Sequence, residues 1–248
     1  MTALFGLGFL LLGAVLGSFA GVIAERIYTG ESWTRGRSRC NSCSRTLSGL
    51  DLIPVVSWLA WGGKCRTCRA KVPALYSLTE GLLALVYLFA FLREGFTLRL
   101  GLVLVAFFLL AVIVLYDLRH TVVPFGLSIL LIAFALLSAL LTPFGTLPGV
   151  LIGAGCIGLG FFLLYALSGG RWMGLGDAPV ALALSLIVGV QAFSGLLYSF
   201  WIGAVVGVFI LVRHPKGHRM GIEVPFVPFL AAGFLIAYFF QWNLFVFM

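Results

Sequence analysis

A stretch of about 20 consecutive apolar residues has few folded fates. It is long enough to cross roughly 30 Å of hydrocarbon as a helix, and a helix satisfies its own backbone groups where no water can. This chain has eight such candidates, near 3–23, 75–92, 99–116, 122–141, 148–168, 178–192, 195–212 and 226–246. The 178–192 and 195–212 pair is the least separated, with only Gln191 and Ser194 between them. With 62% of the 248 residues hydrophobic and 10% charged, a soluble domain is excluded. The expected fold class is an all-α polytopic membrane protein of about eight transmembrane helices.

No basic residue precedes the first run, and its first charges, Glu25 and Arg26, follow it. That argues for an anchor with its N-terminus outside rather than a cleaved signal peptide. Alternating from there, Arg93 and Arg99 fall outside and the other 14 of the 16 basic residues inside, the bias expected of cytoplasmic loops. The formal charge of +8 therefore calls for anionic membrane lipid at the inner surface and no nucleic acid. The domains expected are a first helix over 1–24, a basic cytoplasmic domain over 25–74 and a seven-helix membrane domain over 75–248. Gly149, Gly153, Gly155, Gly158 and Gly160, with Gly203 and Gly207, suit close helix–helix approach and carry no chemistry. No sequence repeat stands out.

The cytoplasmic domain reads CNSC over 40–43 and KCRTC over 64–68, two C-x2-C pairs separated by 21 residues. Cys40, Cys43, Cys65 and Cys68 have the composition of a structural zinc site, and a fifty-residue basic segment needs one, being too small to fold on its own core. Iron is the minor alternative; a disulfide or redox relay competes less well in a reducing cytoplasm. Arg39, Lys64, Arg66 and Arg69 would offset the thiolate charge. Cys156, alone in an apolar span, reads as a packing residue.

Asp117 in VLYDLRHTVVP and Asp177 in MGLGDAPV each stand at the cytoplasmic edge of a span. Ionisable groups there are costly and functional by default. Asp177, ahead of Ala178 and Pro179, could cap a helix, and Asp117 could pair with Arg119. Together, two carboxylates on one membrane face are what an aspartic protease needs, one ionised to activate water and one protonated to polarise a carbonyl.

On these residues the chain resembles the type IV prepilin peptidases, G-x-G-D intramembrane aspartyl proteases. The similarity covers SFAGVIAERI at 18–27, the paired cysteines, DLIPVVSWLAWGGKCRTC at 51–68, LYSLTE at 75–80, DLRHTVVP at 117–124, GLGD at 174–177 and VPFVPFLAAG at 224–233. The resemblance implies catalytic Asp117 and Asp177, with Gly174 and Gly176 in a substrate loop. It implies cleavage of a short basic leader from prepilin-like precursors on the cytoplasmic face of a bacterial inner membrane. It also brings N-methylation of the new N-terminus from S-adenosylmethionine, for which the chain shows no glycine-rich nucleotide turn. Three positions depart from the family pattern: Gly21 replaces Asn, Pro179 replaces Lys, and Val227 replaces Gly.

If the third helix ends at Asp117 and the sixth begins at Asp177, the helix-end fields assign the proton to Asp117 and the base to Asp177. Glu80 is as much a first-turn acid as a site residue, and Glu223 pairs with Arg213 or Arg219. His120, His214 and His218 read as surface groups. Without H-E-x-x-H or G-x-S-x-G, zinc and serine proteases are disfavoured. Trp33, Trp58, Trp61 and Trp172 fit an interfacial belt. The competing classes are an ion-coupled transporter, which would need acids near mid-span, and a non-catalytic assembly factor docking through its zinc domain.

Overall fold

A computed structural model describes residues 1–32, 36–143, 145–213 and 224–241. The expectations for Trp33, His214, His218, Arg219 and Glu223 fall outside the described residues. Among the described residues each of the eight apolar runs is mainly helical and no strand forms, only two isolated antiparallel bridges. Among the described residues, five helical stretches are long and apolar enough to cross a membrane: Thr2–Thr29, Ala74–Glu94, Leu98–His120, Leu147–Ser168 and Asp177–Arg213. The shorter Phe125–Leu140 and Val227–Phe240 are also apolar helices. The chain is a multi-pass membrane protein, and it divides into two compact units, Met1–Leu100 and Gly101–Met248.

The first unit is built on α1 (Thr2–Thr29) and α3 (Ala74–Glu94), its most extensively packed pair. A glycine every fourth residue lets their backbones approach. A Cβ on Gly13 would lie 2.8 Å from Ala84 Cα, and one on Gly17 2.7 Å from Glu80 Cα. Gly21 faces the Tyr76 ring in the same way, at 2.9 Å. The other end of the pair is closed by rings: Phe9 stacks on Phe91 at 4.6 Å, and Phe96 meets Phe5 and Phe91 edge-on at 4.9 and 5.0 Å. α1 runs past the apolar segment through Glu25 and Arg26 and stops at Gly30, whose φ of 73° breaks the helix at no steric cost. Between α1 and α3 lie a 3-10 turn (Gly49–Leu52) and the one-turn α2 (Val56–Ala60).

α4 (Leu98–His120) leads into the second unit, where α5 (Phe125–Leu140), α6 (Leu147–Ser168), α8 (Ala192–Arg213) and α9 (Val227–Phe240) surround α7 (Asp177–Val188). α7 is buried nearly throughout, which is why its sequence, DAPVALALSLIV, shows no polar face. At 12 residues, about 18 Å, it is too short to span a bilayer by itself. A 3-10 turn over Gly189–Gln191, with Gly189 at φ 76°, joins it to α8.

The glycines expected to bring helices together mostly do not. A Cβ at Gly149, Gly153, Gly155, Gly160 or Gly207 would meet nothing within 4 Å; only Gly158, against Leu182, and Gly203, near Phe229, have neighbours. The close contact in this unit is between α8 and α9, where a Cβ added to Gly233 would run into Ser199 and stand 2.7 Å from Gly195 O. Glycine spacing therefore announces that close approach is allowed, not which helix makes it.

Candidate active site and metal centre

Asp117 sits in the last turn of α4, and Thr121 terminates that turn with φ 52° while donating its N–H to Asp117 O at 2.8 Å. Its side chain is 4% exposed. Oδ2 accepts the N–H of Val227 at 3.2 Å. Val227 opens α9, so this is one of the amides that a helix start leaves without an internal partner. Asp117 thus satisfies the neighbouring helix rather than pairing simply along its own.

Asp177, 7% exposed, is the first residue of α7, after the turn 169–176. Its N–H reaches Gly174 O at 3.2 Å, and its carboxyl turns back to hydrogen-bond the Gly174 backbone. No side-chain cap is made, and the N-cap residue is Gly176, so the capping expectation for Asp177 is corrected: the carboxylate faces its own glycine loop. Gly176 rests against the Val123 side chain, where any Cβ would collide, with Cγ2 at 2.8 Å. Glycine here permits the α4–α5 connection to pass tightly under the Asp177 loop. The two carboxyl groups interact electrostatically, so the fold brings together acids sixty residues apart in sequence.

The three departures have structural partners. Gly21 makes room for Tyr76, whose hydroxyl donates to Glu25 Oε2 at 3.4 Å. Pro179 lies in the first turn of α7, where its missing N–H costs nothing. Val227 supplies the backbone donor to Asp117. Glu80 is not a first-turn acid: it is the seventh residue of α3, buried, and accepts the Val55 N–H at 2.6 Å. Val55 has φ 62°, a costly conformation for a β-branched residue, and that amide bond holds it. The roles of Val227, Val123 and Glu80 left no sequence signal beyond lying within the quoted motifs.

Cys40, Cys43, Cys65 and Cys68 come together, their sulfurs all within 4.8 Å of one another, with Cys40 and Cys68 Sγ 3.8 Å apart. Four thiolates placed tetrahedrally about 2.3 Å from one ion are separated by roughly 3.8 Å, so this set could hold a metal ion. All four cysteines are free rather than disulfide-linked. The backbone agrees with that chemistry. Arg39 bridges to Thr46 and Lys64 to Lys71, making two small antiparallel knuckles. In each, the first cysteine exchanges backbone bonds around the turn: Cys40 N to Arg45 O at 2.9 Å, and Cys65 N to Ala70 O at 2.8 Å. Each turn is closed by a left-handed residue after the second cysteine, Ser44 and Arg69 at φ 55° and 59°. The chain thus does contain a repeat, of eight residues, carried by backbone geometry and two cysteines.

Amides of Cys43 and Ser42 point at the Cys40 sulfur and lower its pKa; those of Cys68 and Thr67 bring the Cys65 thiol down to about 6. Such donors favour thiolate, the metal-binding form. Of the cations expected to offset the sulfurs, Arg66 instead stacks over Trp61 at 4.9 Å. Arg45 approaches Cys65 while its other face pairs with Asp51 at 3.0 Å.

Compared with known proteins, residues 11–94 match the bacterial peptidase A24 N-terminal domain and residues 104–212 the type IV leader peptidase family. A Bacillus subtilis (strain 168) protein named prepilin leader peptidase/N-methyltransferase is 29% identical over 229 residues, 92% of this chain and 91% of its own length. Proteins of the same name from Dichelobacter nodosus and Aeromonas hydrophila are 33% and 34% identical, covering 80% and 81% of this chain and 69% and 70% of theirs. No solved structure matches the chain.

Proposed function

The chain belongs to the type IV leader peptidase family, and we propose from that premise that it is an aspartic peptidase whose catalytic pair is Asp117 and Asp177. The observation that carries this reading is the convergence of two buried carboxyl groups, each held by a single backbone amide, with the charge of Asp117 felt at Asp177. In a buried acid pair one carboxylate takes a proton from water, while the other, protonated, donates a hydrogen bond to the scissile carbonyl and polarises it. Asp117 lies between the C-terminal turn of α4 and the first N–H of α9, so helix-end fields oppose each other there. A close pair shares its proton, and the sequence reading of Asp117 as the acid and Asp177 as the base is a statement about the pair rather than about either residue alone. Gly174 and Gly176 form the loop beside which an extended substrate backbone lies.

The substrate is a prepilin-like precursor with a short basic leader and an apolar helix behind it, in line with the relatives' names. The same names support methylation of the new N-terminus from S-adenosylmethionine; no residue of this chain is assigned to that donor. The four cysteines hold a structural zinc ion that fixes the knuckle domain of 25–74 between the first helix, 1–24, and the membrane domain, 75–248. The distribution of basic residues supports a bacterial inner-membrane protein with its N-terminus outside and both centres cytoplasmic.

The test is incubation of purified protein with a pilin-like precursor alongside Asp117→Asn and Asp177→Asn. Wild type should release the leader and neither variant should. A wild type that leaves the leader intact, or a variant that still cuts, rejects the assignment.

A further inference from the structure

The 3-10 turn and α2 expose an unusually apolar surface. Leu50 is 61% exposed, Val56 58% and Leu59 65%, with Leu52 and Ile53 also open. The opposite side of α2 is occupied: Trp58 packs over Gly63 and donates its indole N–H to Val72 O at 3.1 Å. The outward face therefore has a fixed orientation, set by the knuckle behind it.

Its depth is fixed as well. Val55, at the start of α2, is hydrogen-bonded to Glu80 and reaches to 3.9 Å of the Cβ position of Gly81. Those residues lie about 9 Å along α3 from its first residue. α3, at 21 residues, is only just long enough to span hydrocarbon, so α2 is held level with its second turn. At that level α3 exposes Leu78 (58%) and Leu82 (54%), which in a membrane-spanning helix face lipid. The apolar face of α2 continues the lipid-facing surface of α3 near one bilayer boundary.

Charge points the same way. From Lys64 to Lys71 the knuckle exposes Lys64, Arg66, Arg69 and Lys71, and its one acid between Gly36 and Val72, Asp51, is taken up by Arg45 and Ser48. Arg66 lies over Trp61 at the end of α2, an aromatic–cation pair of the kind that sits at headgroup level.

We infer that Gly49–Ala60 is an interfacial wedge, seated in the headgroup–acyl boundary of an anionic bilayer beside the start of α3 and held at that depth by Glu80. A lipid surface is the occupant because the face is continuous with one, flanked by cations, and tethered at both ends to membrane helices.

The experiment uses the full-length protein in nanodiscs of phosphatidylglycerol or of phosphatidylcholine. The photoreactive residue p-benzoylphenylalanine replaces Val56, Leu59 or, as control, Arg69, and intact mass after irradiation identifies the adduct. The wedge predicts phospholipid adducts at 56 and 59, about tenfold over 69, and a higher yield in phosphatidylglycerol. Adducts to polypeptide only, no adduct, equal yield at 69, or equal yield in both lipids would overturn it. In parallel, the double variant Val56→Asp, Leu59→Asp, checked for retained zinc, should exchange amide hydrogens over 49–60 several-fold faster in phosphatidylglycerol discs. Unchanged exchange with zinc retained also overturns the inference.

Discussion

Replacing Gly17 with alanine tests how α1 and α3 are joined. The added Cβ would stand 2.7 Å from Glu80 Cα and 3.1 Å from Thr79 O, whereas ordinary contact needs 3.4–4 Å. Both obstacles are backbone, so no rotamer change relieves them, and the helices must part by roughly 1 Å. A gap of that size forfeits a quarter to a half of the dispersion energy along the seam. Overpacking of this kind costs about 1–3 kcal/mol. Parting α3 from α1 also moves Glu80, which holds Val55 through a 2.6 Å bond, so the strained start of α2 should loosen together with the seam. Gly8→Ala in the same helix is the control, because its Cβ meets nothing within 4 Å. Unfolding in mixed detergent micelles with increasing SDS should show Gly17→Ala destabilised by about 1–3 kcal/mol relative to Gly8→Ala. Equal midpoints for the two variants would refute the packing argument.

Other outcomes follow from separate contacts. Asp117→Ala leaves the Val227 N–H buried without its acceptor and should cost about 1–3 kcal/mol of stability beyond the loss of cleavage, seen by thermal denaturation in detergent. Gly176→Ala should impair cleavage by colliding with the Val123 Cβ and Cγ2, and Val123→Gly, which removes both, should restore it in the double variant; failure of that rescue would mean the contact is not limiting. Chelation, or Cys65→Ser, should release the metal and speed amide exchange over 39–46 and 64–71 without melting the α1–α3 pair. Asp51 accepts bonds from the Ser48 backbone and hydroxyl and pairs with Arg45, which holds its pKa below 3.8. Its capping contribution should be complete above that value and lost only as pH falls further, read by amide exchange over 48–52.

Much of the architecture was legible because apolar length is a one-dimensional signal: within the described residues all eight runs are mainly helical. The cysteine pairs were legible for a related reason, since C-x2-C fixes two sulfurs on one turn. The aspartates could be picked out as costly residues at span edges, and the fold brings their carboxyls together. What the residues do not announce is backbone-mediated. Asp117 contacts the chain 110 residues away through an amide that every residue but proline possesses, so nothing about Val227 as a side chain marks it. The Asp177 cap was plausible from Asp-Ala-Pro, yet the helix begins at the aspartate itself and leaves its carboxyl to the glycine loop. Glycines misled for a similar reason: Gly153 and Gly17 look alike in sequence, and only the tertiary neighbours, none for one and Glu80 for the other, separate them.

The two knuckles have a mechanical consequence. They hold four sulfurs but are separate hairpins, and the 21 residues between Cys43 and Cys65 contain the entire 3-10 turn and α2. An ion shared by the hairpins would turn that segment from a slack tether into a ring with both feet fastened, removing about 3 kcal/mol of chain entropy from the unfastened state. The metal centre would then set how far into its surroundings the chain can reach, which is a matter of leash length rather than of chemistry at sulfur.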